Sequence, residues 1–226
     1  MIKIAIDGFM GSGKGTLAKG LAKKFGLRHL DTGAIFRGIG CAFLDMGITE
    51  LTEQIVKDNI ENVNVSVVFE GDNQKVLLNN NDITHRLRLE ESSKMSSKVS
   101  IYGDVREKYL EIVRKFANEN DCIIDGRDIT SIVLPDADVK IFLTADEKVR
   151  AERRYKENIE KNIACTFEEV LANLQERDYR DSHRDIAPLK IVEDAIVVDN
   201  TEIDINETIE KCIDIVSKVL KEKGKL

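Results

Sequence analysis

The stretch Ile2-Lys3-Ile4-Ala5-Ile6-Asp7-Gly8-Phe9-Met10-Gly11-Ser12-Gly13-Lys14-Gly15-Thr16 constrains the fold of this chain more than any other. A short apolar run ends in a glycine-dense turn, after which Leu17, Leu21, Ala22 and Phe25 recur at helical spacing. Strand, glycine-rich loop and helix in this order are the context in which a phosphate-binding loop has meaning. Gly8, Gly11 and Gly13 let the backbone turn tightly and aim consecutive N–H groups inward, and the following helix adds the positive end of its dipole. Lys14 supplies a mobile charge for the outer phosphates.

The usual Walker A pattern has Ser or Thr directly after the lysine, whereas here Gly15 precedes Thr16. The form Gly-Lys-Gly-Thr is similar to the loop of nucleoside monophosphate kinases. The competing readings are weaker. A turn that binds nothing does not need three glycines and a lysine at these offsets. A dinucleotide fingerprint needs a third glycine where Thr16 stands.

With 226 residues, 42% hydrophobic and 33% charged, the chain is long enough for one domain with an insertion and a full core. Its formal charge of −7 argues against binding to nucleic acid or an anionic membrane. Cys41, Cys122, Cys165 and Cys212 are scattered, so neither a zinc site nor a disulfide framework is expected. No apolar run reaches membrane-spanning length, and because Met1 leads straight into a strand no signal or transit peptide is expected ahead of the domain. The expectation is a soluble, cytoplasmic monomer.

Strand patterns at 2–6, 27–30, 122–125, 139–143 and 195–199 alternate with helical ones, which implies a five-stranded parallel sheet with right-handed crossovers. Between them the period changes. Val63, Val65, Val67 and Phe69 alternate, a Gly71-Asp72-Asn73 turn follows, and 75–78 reads as the second strand of a hairpin. Residues 62–89 form a small β-rich insert on this reading. Gly8, Asp31-Thr32-Gly33 and the segment 125–128 fall at carboxyl ends of strands, where such sheets bind ligands.

Arginines recur at these ends and on the late helices: Arg37, Arg127, Arg150, Arg153, Arg154, Arg177, Arg180 and Arg184. Helical spacing puts Arg177, Asp181 and Arg184 on one face. A solvated, charge-paired helix is the competing reading, but guanidinium forks suit phosphate and keep their charge on burial. Asp125 ends an apolar strand as a Walker-B-like acid does, with a role in organising Mg²⁺ through water. A cap or turn former is the alternative for it. His29, His85 and His183 share no motif, and no Asn-Lys-x-Asp or Ser-His-Asp pattern occurs. The absence of an evident general base suits an acceptor that is itself a phosphate dianion.

Together these motifs resemble the bacterial cytidylate kinase family over essentially the whole chain. The resemblance rests on Ile6-Asp7-Gly8 with Gly11 through Leu17, on Asp31-Thr32-Gly33-Ala34-Ile35-Phe36-Arg37, and on Asp125-Gly126-Arg127-Asp128-Ile129 with Pro135-Asp136-Ala137. It rests further on Glu176-Arg177-Asp178, Arg180-Asp181, Arg184 and Ala187-Pro188-Leu189. It implies an α/β P-loop nucleoside-monophosphate-kinase fold with a core (1–61, 102–157, 185–226), a β-rich NMP-binding insert (62–101) and a helical lid (158–184). It implies ATP and Mg²⁺ as donor and cofactor, and CMP or dCMP as acceptor. ATP would lie on Gly8, Phe9, Met10, Gly11, Ser12, Gly13, Lys14, Gly15 and Thr16, with Thr16 and Asp125 toward the metal. Ser97, Arg106 and Asp128 would face the cytosine, Arg177 and Asp181 the sugar, and Thr32, Arg37, Arg127 and Arg184 the acceptor phosphate. Lys14, with Arg153 or Arg154, would stabilise the transferring group.

Three positions depart from the family pattern. Phe9-Met10 stand where proline and a small residue are common, Thr130-Ser131 replace Gly-Thr, and Phe36 replaces tyrosine. Rival readings are another small P-loop kinase, for uridylate, adenylate or a non-nucleotide acceptor, and a nucleotide-binding regulator without catalysis.

Overall fold

A computed structural model describes residues 1–226. β1 (Lys3–Gly8) runs through the glycine loop into α1 (Lys14–Phe25), and β2 (Arg28–Asp31) turns directly into α2 (Thr32–Asp45). After α3 (Glu53–Asn59) come three short antiparallel strands, β3 (Val65–Glu70), β4 (Asn73–Leu78) and β5 (Asn81–Asp82). Helices α4 (Glu90–Val99) and α5 (Gly103–Glu119) lead to β6 (Cys122–Gly126) and β7 (Val139–Thr144). Then follow α6 (Glu147–Glu160), α7 (Phe167–His183), β8 (Ile196–Asp199) and α8 (Ile205–Glu222).

The five expected strands form one parallel sheet in the order β2-β6-β1-β7-β8, and the expected hairpin gains a third strand, β5. β1 is central, with Ile4 level with Ile123 and Val139 on its two neighbours. Both faces of such a sheet are covered, which is why β6 reads Cys-Ile-Ile without alternation and is buried throughout. The register also brings the carboxyl ends together: Asp7 faces Gly126, and Gly8 faces Leu143. No helix is long and apolar enough to cross a membrane, and all four cysteines are free.

The chain divides into two compact units, one of residues 1–28 and 121–226, the other of residues 29–120. In the first, Ile4, Ile6, Leu17, Leu21, Ile123, Ile141 and Leu143 pack with Cys212, Val216 and Leu220 of α8. A capping box of Asp204 and Glu207 starts α8 at the point where its apolar stripe begins. A smaller cluster of Ala151, Val170 and Leu174 packs with Tyr155, Phe167 and Met10, joining α6 to α7. Asp146 caps α6, and a Thr166–Glu169 capping box starts α7.

In the second unit α2 is flanked closely on two sides. A Cβ built on Gly38 would lie 2.8 Å from Val76 Cγ1 and 3.2 Å from Val65 Cγ1, so the small sheet lies directly on the helix backbone. Gly38→Ala is therefore expected to destabilise the protein on balance, an overpacking cost of about 1–3 kcal/mol being partly offset by about 1 kcal/mol gained in helix propensity. A thermal melt checks this. A midpoint at or above that of the unmutated chain would mean that the hairpin yields without cost.

Candidate active site

The loop after β1 is fixed by a close approach at its start. A Cβ on Gly8 would lie 2.0 Å from the Leu143 carbonyl oxygen, so no other residue fits there. Gly13 (φ 91°) is the N-cap of α1, and no side chain caps that helix. Its first-turn N–H groups and dipole are thus free to meet an anion. At the loop's centre the Phe9 carbonyl accepts from Ser12 Oγ at 3.0 Å and from Lys14 Nζ at 2.8 Å. Phe9, the bulky departure from the family pattern, sets its ring edge-on to Phe142, centroids 5.7 Å apart, with the Arg150 guanidinium 5.1 Å from its centre. Thr16 is exposed on the first turn of α1.

Lys14 is only 7% exposed. Burial and the nearby Arg127 guanidinium lower its pKa to about 7, against the pull of Asp125, Asp181 and Asp7. An anion entering the loop would restore its charge.

Asp125 is buried at the end of β6, with Arg127 and Asp128 just beyond. Arg127 Nε donates to Asp181 Oδ2 at 2.8 Å and its Nη1 to the Gly126 carbonyl at 3.2 Å. Burial opposes the Arg127 charge, but Asp181, Asp178 and Asp125 outweigh it and raise its pKa. Burial likewise pushes the Asp181 carboxyl up, and Arg127, Arg177 and Arg184 bring it below the ordinary carboxylate range. Asp128, 2% exposed, has Arg184 Nη2 at 3.9 Å from its carboxylate.

Past Asp128 the chain makes one π-helical turn over Ile129–Val133. Asp7, the residue before Gly8, holds that turn. It accepts from Ile129 N at 2.9 Å, Thr130 N at 2.7 Å and Thr130 Oγ1 at 2.6 Å. Burial raises Asp7 to about 6 against these three donors. Thr130, where the family has glycine, thus adds a hydroxyl that ties the turn after β6 to β1.

The arginines of the late helices separate into different roles. Arg150 is buried, donating from Nε to the Ala145 carbonyl (2.9 Å) and from Nη1 to the Met10 carbonyl (3.0 Å), and it pairs with Asp178. Arg153 clasps the turn after β8, with Nη1 on Asn200 Oδ1 (2.9 Å) and Nη2 on the Asn200 carbonyl (2.7 Å). Arg154 pairs with Glu157 at 2.8 Å. Arg177 and Asp181 share α7, as their spacing implies, but Arg184 does not continue that helical face. It is the C-cap, with extended backbone (φ −68°, ψ 145°), so the chain leaves the helix there, ahead of Pro188. There Ala187 adopts φ 52°, and its carbonyl accepts from Arg184 Nε at 2.7 Å.

In the second unit, Asp31 caps α2 by accepting from Ala34 N at 3.3 Å and pairs with Arg37 Nη2 at 2.7 Å. Gln74 of β4 anchors this corner, accepting from Asp31 N at 2.7 Å and donating to the Asp31 carbonyl at 3.1 Å. Thr32 is buried beside it, and Ser97 is half-buried on α4. Arg106 is buried, with Nη1 on the Ser100 carbonyl at 3.0 Å and its guanidinium 5.7 Å from the Phe36 ring and 5.9 Å from that of Tyr109. Phe36 therefore keeps the aromatic face of the family's tyrosine and gives up only the hydroxyl.

Within the first unit the structure gathers Lys14, Arg127, Asp128, Asp181 and Arg184 around the carboxyl ends of β1 and β6, and turns Arg153 and Arg154 to Asn200 and Glu157. Two supporting residues escaped the sequence reading. Asn200, 1% exposed, donates to the Ser12 carbonyl at 3.0 Å, and Gln74 steadies Asp31. An isolated amide with a distant partner leaves no local pattern.

Comparison with known proteins gives the same direction. Residues 4–218 match the family described as cytidylate kinase. A cytidylate kinase of Thermosipho melanesiensis is 43% identical over 224 residues, covering 99% of this chain and 99% of its own. Another, of Caldicellulosiruptor saccharolyticus, is 40% identical over 219 residues, covering 97% of each. Among solved structures, a gluconokinase from Sinorhizobium meliloti superposes with a TM-score of 0.51 at 14% identity, covering 98% of this chain and 94% of its own. An uncharacterized protein from Eubacterium ventriosum does so with a TM-score of 0.52 at 14% identity, covering 98% and 99%. At such identities these likenesses speak for the fold alone. By its match over nearly its whole length, the chain belongs to the cytidylate kinase family.

Proposed function

We propose that this protein transfers the γ-phosphoryl group of ATP to CMP or dCMP, giving ADP and CDP or dCDP. The observation that carries the reading is a phosphate loop with a buried lysine beside a cluster of Arg127, Asp128, Asp181 and Arg184, in a chain of this family. The acceptor phosphate needs no proton removed. Positioning and charge neutralisation therefore do the chemistry, and no general base is required.

The loop from Gly8 to Thr16 holds the ATP phosphates, and Lys14 follows charge onto the leaving oxygen. Arg127 and Arg184 hold the acceptor phosphate, and Arg177 and Asp181 the sugar. Asp128 reads the cytosine amino group. By the likeness to the family, Thr32 and Arg37 are assigned to the phosphate, and Ser97 and Arg106 to the base. Arg153 and Arg154 stabilise the transferring group only after leaving Asn200 and Glu157, which suits residues 158–184 acting as a lid that closes when ATP is bound. Residues 62–101 form the acceptor-binding insert.

One buried carboxylate, Asp125, and one hydroxyl, Thr16, suit Mg²⁺, which keeps most of its own waters and takes its other ligands from phosphate. When bound, it would neutralise charge on the outer phosphates.

The lowered pKa of Lys14 gives a direct signature. ATP binding restores its charge, so the protein should take up close to one proton per ATP at pH 8 and almost none at pH 6. Calorimetry in buffers of different ionisation enthalpy measures this. Equal uptake at both pH values would contradict it. The function itself is tested by turnover with CMP, dCMP, UMP and AMP. CMP and dCMP should lead, and preference for UMP or AMP would establish one of the rival kinases instead.

A further inference from the structure

Asp178 belongs to the Glu176-Arg177-Asp178 motif, yet the reaction outlined above gives it no part. The structure holds it where it touches the phosphate loop. Met10 N donates to Asp178 Oδ1 at 3.2 Å, and the other carboxylate oxygen pairs with Arg150. The same Arg150 Nη1 donates to the Met10 carbonyl at 3.0 Å. The two side chains therefore take both polar groups of one loop residue. Arg150 is itself fixed, by Nε on the Ala145 carbonyl at 2.9 Å and by its backbone, whose carbonyl oxygen a Cβ on Gly11 would approach to 2.9 Å.

A buried ion pair contributes little net stability, because desolvation offsets its attraction. The pairing of buried Arg150 with part-buried Asp178 is therefore more informative about geometry than about stability. Their shared contact is the rim of the loop whose N–H groups must meet phosphate.

We propose that Asp178 and Arg150 are a positioning pair for the ATP-binding loop, gripping Met10 by its N–H and its carbonyl so that the loop is held open for the donor phosphates. Asp178 lies on α7 beside Arg177 and one turn before Asp181. That helix then serves the donor through one residue and the acceptor through its neighbours. The inference rests on the kinase reading for its choice of ligand, but part of its test does not depend on turnover.

The experiment compares Asp178→Asn, Asp178→Ala and Arg150→Lys with the unmutated chain, and uses Glu176→Gln, an exposed residue of the same helix, as control. Binding of Mg²⁺-loaded AMP-PNP is measured by calorimetry, exchange of the Met10 amide by NMR, and KM for ATP and CMP by coupled assay. A charge-assisted hydrogen bond is at stake, so affinity for AMP-PNP and KM for ATP should each worsen by about tenfold or more, with KM for CMP within about twofold. The Met10 amide should exchange faster in both Asp178 variants, and Glu176→Gln should change none of these. If Asp178→Ala does not fold, Arg150→Lys carries the test, since it keeps the charge and loses the fork. Unchanged AMP-PNP affinity in folded variants, or equal losses for both substrates, would show that the pair merely joins α6 to α7 and overturn the inference. An unmutated chain that binds AMP-PNP but never phosphorylates CMP would overturn the kinase reading, while the binding and exchange results would still decide the inference.

Discussion

Lys14→Ala is expected to lower turnover by a factor on the order of 10²–10³, the loss seen when one preorganised donor to developing charge is removed. Lys14 Nζ already points into the loop, on the Phe9 carbonyl, so the donor is in place before ATP arrives. The fold should survive. Its folded pKa of about 7 lies below the ordinary 10.5, so the unfolded chain binds more protons between these values and stability rises with pH across that window. Below pH 7 the buried charge opposes folding in full. Lys14→Ala should therefore be no less stable than the unmutated chain at pH 6, and its advantage should shrink as pH rises. Steady-state turnover with thermal melts at pH 6 and 9 measures both. Near-normal turnover in a folded variant would remove Lys14 from the chemistry.

Asp128 and Asp181 should separate base from sugar. Asp128 lies at the start of the turn that Asp7 pins and is almost wholly buried. An aspartate there accepts from the amino group of cytosine, whereas uracil presents a carbonyl in the same place. Asp128→Asn offers a donor instead, and should narrow the CMP to UMP ratio of kcat/KM by about ten- to a hundredfold, the worth of one buried hydrogen bond. Asp181 is different. Its carboxylate is held ionised by Arg127, Arg177 and Arg184, and it accepts directly from Arg127. Asp181→Asn should weaken both nucleotides alike, because it also leaves Arg127 buried with less opposite charge nearby. A base ratio that moves with Asp181→Asn and not with Asp128→Asn would reverse the two roles.

How much of this was legible in the sequence follows from the reach of each signal. The glycine loop, the five strands of the parallel sheet and the hairpin are local patterns, and each lies where its period placed it. The three arginines of α6 look alike in sequence, and only tertiary neighbours send Arg150 to Met10, Arg153 to Asn200 and Arg154 to Glu157. Arg184 has helical spacing from Asp181, but a turn set by Ala187 and Pro188 removes it from the helix. Asn200 and Gln74 act on backbone 188 and 43 residues away, a distance that no periodicity spans.

Transfer of one phosphoryl group between two nucleotides is read by following a label. ATP labelled at the γ-phosphate is incubated with the protein, Mg²⁺ and CMP, and the products are separated. Label should appear in the β-phosphate of CDP, with one CDP for each ADP formed, and Lys14→Ala should form both more slowly by a factor on the order of 10²–10³. Label released as inorganic phosphate, or ATP bound and left intact in the presence of CMP, would contradict such transfer.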